Sequence, residues 1–140
     1  MKSQLELSVI PDHKERDAAR AQELASWLLS KLERKEIEAK KKFGGAAFYL
    51  EVSLLSSEQM DKNVLSFEPA DNFPRPDLKL QALGEIHLNP DYIRAHEESF
   101  EHMLIHGFLH LLGYEHGKRD AKMVMEQLEE RLLEEFSRKS

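Results

Sequence analysis

The chain has 140 residues, of which 41% are hydrophobic and 33% charged, and this size and composition predict one soluble globular domain. Cysteine is absent, which excludes disulfides, thiolate metal ligands and a cysteine nucleophile. The 26 acidic and 20 basic residues give a net charge of −6, which argues against a continuous basic surface for nucleic acid. No apolar run approaches the roughly 20 residues that cross a membrane, and the first residues lack a signal-peptide core. We therefore expect a cytoplasmic protein without membrane contacts.

The first half of the sequence predicts a strand, a long helix and two further strands. Polar and apolar residues alternate from Leu5 to Val9, the pattern of a half-buried strand. From Asp12 to about Lys42 the chain is rich in helix-forming residues with apolar side chains at helical spacing, and glycines 44 and 45 follow. Aromatic and β-branched residues predict strands over 47–55 and 64–67.

Six basic residues cluster near the end of this predicted helix: Lys31, Arg34, Lys35, Lys40, Lys41 and Lys42. Positive charge at a helix C-terminus interacts favourably with the helix dipole. We interpret the cluster as a solvated helix end, and a patch that binds RNA is the alternative interpretation.

The second half of the sequence predicts a loop, a strand and two helical segments. Residues 69–80 contain several prolines and read as a loop, and residues 83–88 form a strand. Helical patterns follow over 91–112 and 119–136, separated by a short turn that contains glycine. The elements together predict an α+β fold, in which a small mixed sheet packs against helices in one compact domain over residues 1–140.

Three of the seven histidines lie within eleven residues: His106, His110 and His116. The first two are four residues apart, so their side chains share one face of a helix, with Cβ atoms about 6 Å apart. Gly113 is the residue type that ends a helix at positive φ, which lets His116 turn back towards the other two. Three neutral imidazoles and one open position suit a catalytic zinc ion, so we predict one Zn²⁺ at this site.

The histidine spacing also fits the His-x-x-x-His-x-x-Gly-x-x-His frame of zinc peptidases, in which glutamate follows the first histidine as general base. Gly107 occupies that position, so the group that takes a proton from water in that mechanism is missing. A zinc peptidase, or another metallohydrolase whose base comes from elsewhere in the fold, is therefore an alternative prediction. His102 lies about 12 Å along the helix axis from His110, too far to share the ion, and we expect it behind the ligands.

Residues 106–116 resemble the signature of the YbeY family of metal-dependent endoribonucleases, His-Gly-x-Leu-His-Leu-x-Gly-Tyr-Asp-His, with Glu115 in place of aspartate. The resemblance covers roughly residues 46–136, and it continues in three further segments: 64–67, 83–86 and 125–129. It implies a compact α+β fold with zinc held by the three histidines. It also implies cleavage of single-stranded RNA, not DNA, in maturation of small-subunit ribosomal RNA and in ribosome quality control, with a small ribosomal subunit precursor as the partner.

The sequence departs from this family pattern just before residue 64, where the family arginine is missing and Asn63 replaces an aspartate. Lys62 is the nearest cation that can contact the scissile phosphate, although it lacks the paired hydrogen bonds of a guanidinium. Glu115 is the candidate for proton transfer, and Glu85 is a candidate for orienting a ligand. A third alternative is a non-catalytic, ribosome-associated protein that keeps the fold and metal but has lost cleavage.

Metal-assisted hydrolysis of RNA requires an ion that polarises a phosphoryl oxygen and lowers the pKa of a bound water. RNA must also be attracted by local positive charge, because the net charge of the chain is negative. The candidates for the rim of such a cleft are Lys118 and Arg119, which directly follow the histidine motif, and Arg75 in the predicted loop.

Overall fold

The computed structural model describes residues 3–9, 15–43, 47–69 and 80–139. These residues form β1 (Gln4–Val9), α1 (Glu15–Glu33), β2 (Phe48–Leu54), β3 (Val64–Phe67), β4 (Gln81–Leu88), α2 (Pro90–Ala95), α3 (Phe100–Leu111) and α4 (Arg119–Arg138). The predicted α+β class is confirmed. The predicted start of the first helix, glycines 44 and 45, and nearly all of the predicted loop, including Arg75, lie outside the described residues. Within the described part, no helix has the length and apolar character to cross a membrane.

The four strands form one mixed sheet in the order β1-β2-β4-β3. The first three of these lie parallel, and β3 runs antiparallel to β4. Helix α1 connects β1 to β2, since neighbouring parallel strands need a crossover that a helix usually makes. Val64, the first residue of β3, pairs with Leu88, the last residue of β4. The residues that precede β3 therefore lie beside the carboxyl end of β4.

Helix α3 lies against both the sheet and the other long helices, since it contacts β3, β4, α1 and α4. Its completely buried side chains include Leu104, Ile105, Phe108 and Leu109. His106 and His110 lie on the remaining face and are partly exposed. One flank of this helix therefore packs, while the face that carries the two histidines points outward. Burial of the apolar flank fixes the direction of the histidine face.

Helix α1 ends at Glu33, so the prediction of one helix from Asp12 to Lys42 is wrong in its last part. Lys35 adopts the left-handed conformation with φ of 60°. Its N–H and that of the next residue donate to carbonyls of the last helical turn at 3.1 and 2.9 Å, the pattern of a Schellman motif. Glycine usually occupies this position, and a lysine there leaves no signal in the sequence.

This earlier end of α1 also corrects the interpretation of the basic cluster as a helix end. Of its six residues, all of them in the described part of the chain, only Lys31 lies in the last turn. The chain that follows runs to the end of α3. There the N–H groups of Lys40 and Lys41 donate to the carbonyl oxygen of Leu112 at 2.8 and 3.1 Å.

The helix predicted over 91–112 is two helices, α2 and α3, so this prediction is also corrected. Glu97 between them has a φ of 55°, which interrupts the helical backbone. Ser99 then caps α3, because its hydroxyl oxygen accepts a hydrogen bond from the N–H of His102 at 3.1 Å. A serine before a helix can be recognised in the sequence as a start signal, whereas a glutamate at positive φ gives no sign in the sequence that a helix ends there.

Gly107 lies where α3 crosses the sheet. A Cβ atom at this position would lie 3.0 Å from Cγ2 of Ile86 and 3.0 Å from Oγ of Ser66. The Ser66 hydroxyl also donates a 2.9 Å hydrogen bond to the Gly107 carbonyl oxygen. The residue after the first histidine therefore faces the sheet. A glutamate at this position would be directed away from the histidine face, which counts against a peptidase mechanism that uses this position.

We expect Gly107→Val to lower the free energy of unfolding by about 1–3 kcal/mol, because the added methyl groups overpack the contact between helix and sheet. Urea denaturation followed by circular dichroism measures the change. Gly117→Val is the matched control, since a Cβ at Gly117 meets no atom within 4 Å. Equal stability of the two variants would contradict the close approach of α3 to the sheet.

Candidate metal centre

The structure brings the three predicted histidines together at the end of α3. The candidate ligand nitrogens of His106, His110 and His116 all lie within 4.8 Å of one another. Their ring centroids are 4.5 to 5.5 Å apart. Imidazole is a common metal ligand in proteins, so this cluster can hold a metal ion.

A second Schellman motif places His116 beside the other two histidines. Gly113 has a φ of 100°, and its N–H donates to the carbonyl of His110 at 3.0 Å. The N–H of Tyr114 donates to the carbonyl of Leu109 at 3.1 Å. The predicted use of Gly113 to end the helix at positive φ is confirmed. The chain reverses at this turn, and His116 follows two residues after a buried tyrosine.

Hydrogen bonds donated by the Nδ1 atoms determine which nitrogens of the two helical histidines face each other. The Nδ1 of His106 lies 2.7 Å from Oε2 of Glu129, and that of His110 lies 2.9 Å from the carbonyl oxygen of Tyr114. A carbonyl oxygen and an ionised carboxylate only accept, so both Nδ1 atoms carry the proton. Both Nε2 atoms therefore present lone pairs when the rings are neutral.

These two Nε2 atoms are 3.0 Å apart. Two lone pairs at this separation repel each other unless a cation lies between them. Tetrahedral coordination with zinc to nitrogen distances of 2.0–2.1 Å places two ligand nitrogens about 3.3 Å apart, close to the observed spacing. The geometry and the donor atoms therefore fit a metal ion of this kind.

Burial favours the neutral form of His110 that a ligand needs. Removal from water, with the nearby His106 as a second cause, lowers the pKa of His110. A neutral imidazole has a free lone pair at pH 7, whereas a protonated one does not. The site therefore has a ligand atom available without first losing a proton.

Glu129 links the cluster to α4, and no role was predicted for it from the sequence. It is 4% exposed, with Oε2 on His106 and Oε1 3.3 Å from Nε2 of His102. Burial alone would raise the pKa of Glu129, but the hydrogen bonds from the two histidines lower it to about 2. The same contact raises the pKa of His102. His102 therefore lies behind the cluster, as predicted, and this carboxylate joins it to His106.

One signal in the sequence could have identified Glu129. It lies four residues after Met125 and three before Leu132, so the three share one face of α4. All three are buried in the structure. A glutamate within an otherwise apolar helical stripe indicates a paired carboxylate, since an unpaired buried charge is very costly.

The cluster lies in an open cleft with a volume of about 890 Å³. Lys62 and Glu115, the two predicted catalytic residues, both line this cleft and are exposed. Their catalytic roles remain predictions. Glu85, the candidate for orienting a ligand, contacts Nε2 of His87 on the sheet at 3.2 Å. The carboxylate that contacts His106 is that of Glu129.

Lys62 lines the cleft, whereas two of the cations predicted for its rim do not. Lys118 and Arg119 are exposed at the start of α4 and are not among the residues that line the cleft. Lys40 and Lys41, from the basic cluster that was predicted to end a helix, do line it. Among the described residues, the cleft is therefore lined by three lysines: Lys40 and Lys41 after α1, and Lys62 before β3.

Comparison with known proteins shows the family to which this architecture belongs. Residues 12–137 match the family described as Endoribonuclease YbeY. The chain belongs to the YbeY family. The match extends further towards the N-terminus than the resemblance over residues 46–136 and includes all of α1.

Individual relatives named Endoribonuclease YbeY match a shorter part of the chain. A protein from Wolbachia sp. subsp. Drosophila simulans is 38% identical over 90 residues, which are 56% of this chain and 56% of the relative. One from Rhizobium leguminosarum bv. trifolii is 43% identical over 81 residues, 51% of this chain and 46% of the relative. One from Tropheryma whipplei is 32% identical over 108 residues, 63% of each chain. The chain thus spans about half to three-fifths of the length of these YbeY proteins.

Proposed function

We propose that this protein is a metal-dependent endoribonuclease that hydrolyses phosphodiester bonds in single-stranded RNA. The observation that carries the proposal is the pair of Nε2 atoms of His106 and His110, which face each other at 3.0 Å while both Nδ1 atoms are hydrogen bonded. Family membership supports the choice of RNA as substrate. We further propose that His116 completes the ligand set and that one zinc ion is the cofactor.

The residues of the cleft have separate parts in this proposal. A zinc ion bound by the three imidazoles supplies Lewis-acid chemistry for hydrolysis of a phosphate ester. Glu129 holds the ring of His106 in the required tautomer. Glu115 accepts a proton from the attacking water, and Lys62 binds the phosphate that is cleaved. Both assignments rest on the position of these side chains in the cleft.

We also propose that the substrate is precursor RNA of the small ribosomal subunit, and that the protein acts in the cytoplasm in ribosomal RNA maturation and quality control. The support for this assignment is the resemblance of residues 106–116 to the YbeY signature together with the family match. We also propose that residues 1–140 form one domain. One hydrophobic core that includes buried residues of α1, β2, β4, α3 and α4 supports this assignment.

The test compares four substrates with zinc-loaded protein: single-stranded RNA, duplex RNA, single-stranded DNA and a peptide. We expect cleavage of single-stranded RNA alone, with loss of activity after chelation and recovery after zinc is added back. Cleavage is measured by gel electrophoresis of end-labelled oligonucleotides, and peptide hydrolysis by chromatography.

Two results would overturn the proposal. Peptide hydrolysis without RNA cleavage would assign the site to a peptidase whose base lies elsewhere in the fold. Tight binding of RNA without any cleavage by zinc-loaded protein would assign it to a non-catalytic RNA-binding protein.

A further inference from the structure

We infer that Lys40 and Lys41 bind the RNA backbone at the metal cleft, at phosphates other than the one that is cleaved, which Lys62 contacts in the proposed function. Residues 38–41 are here named the lysine segment, and two of them, Lys40 and Lys41, line the cleft together with the histidines. This inference rests on the proposed function, because it takes single-stranded RNA as the ligand of the cleft.

The lysine segment is fixed to the end of the helix that bears the histidines. The N–H groups of Lys40 and Lys41 both donate to the carbonyl oxygen of Leu112, the C-cap residue of α3. Carbonyls at a helix end lack a partner within the helix, so these bonds satisfy a group that otherwise needs water. The Tyr114 hydroxyl also donates to the carbonyl of Glu38 at 2.7 Å. Main-chain contacts thus determine where the two lysines lie.

Gly113 permits this close approach. A Cβ atom at Gly113 would lie 2.9 Å from Cγ of Lys41 and 3.1 Å from Cβ of Lys40. The turn that places His116 in the cluster therefore also admits the lysine segment. Because one turn positions both features, the lysines have a defined location relative to the three histidines.

The two lysine side chains differ in their surroundings. The ammonium of Lys40 lies 5.5 Å from the ring centroid of Tyr114, and that of Lys41 forms an ion pair with Glu68. The side chain of Glu68 is 67% exposed. Exposed ion pairs contribute little, about 0–1 kcal/mol, so a phosphate group can displace this carboxylate. Glu68 thus competes with RNA for Lys41.

The positions of the cations indicate a path for the RNA strand. Lys62 lies two residues before β3, and Lys41 contacts Glu68, the first residue after β3. Cations therefore stand near both ends of the strand that borders the cleft. Three lysines face two glutamates in the described lining, although the whole chain carries a charge of −6. An RNA strand whose sugar-phosphate backbone runs along β3 can contact these lysines while one of its phosphates lies beside the histidine cluster.

The test measures binding of a short fluorescein-labelled oligouridylate to the full chain by fluorescence anisotropy, with a chelator present so that the RNA stays intact. For the double variant Lys40→Ala/Lys41→Ala we expect about tenfold weaker binding at low salt. The logarithm of the association constant falls as the logarithm of the salt concentration rises, and for the double variant this slope should be less steep by about 1.4. Each lost phosphate contact in a single strand accounts for about 0.7 of the slope.

Three further variants separate charge from structure. Lys42→Ala removes an exposed cation next to the segment that does not line the cleft, and its binding should stay within about twofold of wild type. Lys40→Arg/Lys41→Arg should retain binding, and Glu68→Gln should tighten it. Because the segment is held through main-chain N–H groups, the double alanine variant should keep the melting temperature and the zinc-induced stabilisation of wild type.

The inference is overturned if the double alanine variant binds the oligouridylate as Lys42→Ala does, or if wild type shows no salt-dependent binding. Failure of the proposed function gives a different result. In that case wild type and the variants differ in binding as expected, but zinc-loaded wild type does not cleave RNA.

Discussion

Replacing His110 with alanine is expected to remove the bound metal ion and to lower the rate of RNA cleavage by at least about 100-fold. The variant loses the Nε2 atom that faces His106 at 3.0 Å, and two remaining imidazoles seldom hold a zinc ion. A metal ion contributes several kcal/mol to stabilisation of the transition state, and each 1.36 kcal/mol corresponds to about tenfold in rate.

Two measurements test this expectation independently of activity. Elemental analysis should find about one zinc per wild-type chain and almost none in His110→Ala. Zinc at about 100 times its dissociation constant should stabilise wild type by about 2.7 kcal/mol, seen as a rise in melting temperature that the variant lacks.

His96→Ala is the matched control, because His96 is an exposed histidine in the described chain that stacks on Tyr92 outside the cluster. It should bind zinc and cleave RNA as wild type does. If His110→Ala retained zinc and full activity, the assignment of the cluster as the metal centre would be wrong.

The convergence of the three histidines could be predicted because each step depends on local geometry. A spacing of four residues sets two side chains on one helix face, and Gly113 at positive φ reverses the chain. The strand over 64–67 and the α+β class could be predicted for the same reason, since alternation and β-branched residues act over short distances. These features need no knowledge of tertiary contacts.

The features that the sequence did not predict depend on long-range contacts or on unusual backbone conformations. Lys35 and Glu97 adopt positive φ without being glycine, so both helix ends lack their usual marker. The lysine segment reaches the cleft only because α1 ends early and α3 offers the Leu112 carbonyl. A cluster of basic residues predicts charge, but its position relative to the histidines depends on this packing.

The role of Glu129 also depends on packing, because α4 lies next to α3 only in the folded chain. The spacing of a glutamate among buried residues can indicate that it is paired, but not with which residue. The structure shows His102 and His106 as its partners. The Glu129 carboxylate and the rings of His106 and His102 thus form one connected set of contacts across α3 and α4.

This set leads to the second large effect: Glu129→Gln is expected to weaken zinc binding by about 10- to 100-fold. Each carboxylate oxygen of Glu129 contacts a different histidine, at 2.7 and 3.3 Å. Glutamine keeps the shape but has one oxygen, and its amide nitrogen donates instead of accepting. If the amide nitrogen faces His106, two donors meet, and the ring must rotate or change tautomer, which turns a protonated nitrogen towards the ion.

A chromophoric chelator that competes for zinc measures this affinity directly. Glu130→Gln is the matched control, because Glu130 is the exposed neighbour of Glu129 on α4, and it should bind zinc as wild type does. The melting temperature without zinc separates positioning from a general loss of structure. If Glu129→Gln binds zinc as tightly as Glu130→Gln, the carboxylate does not orient His106. If its affinity falls while the zinc-free protein stays folded, Glu129 acts on the metal centre through the position and tautomer of His106.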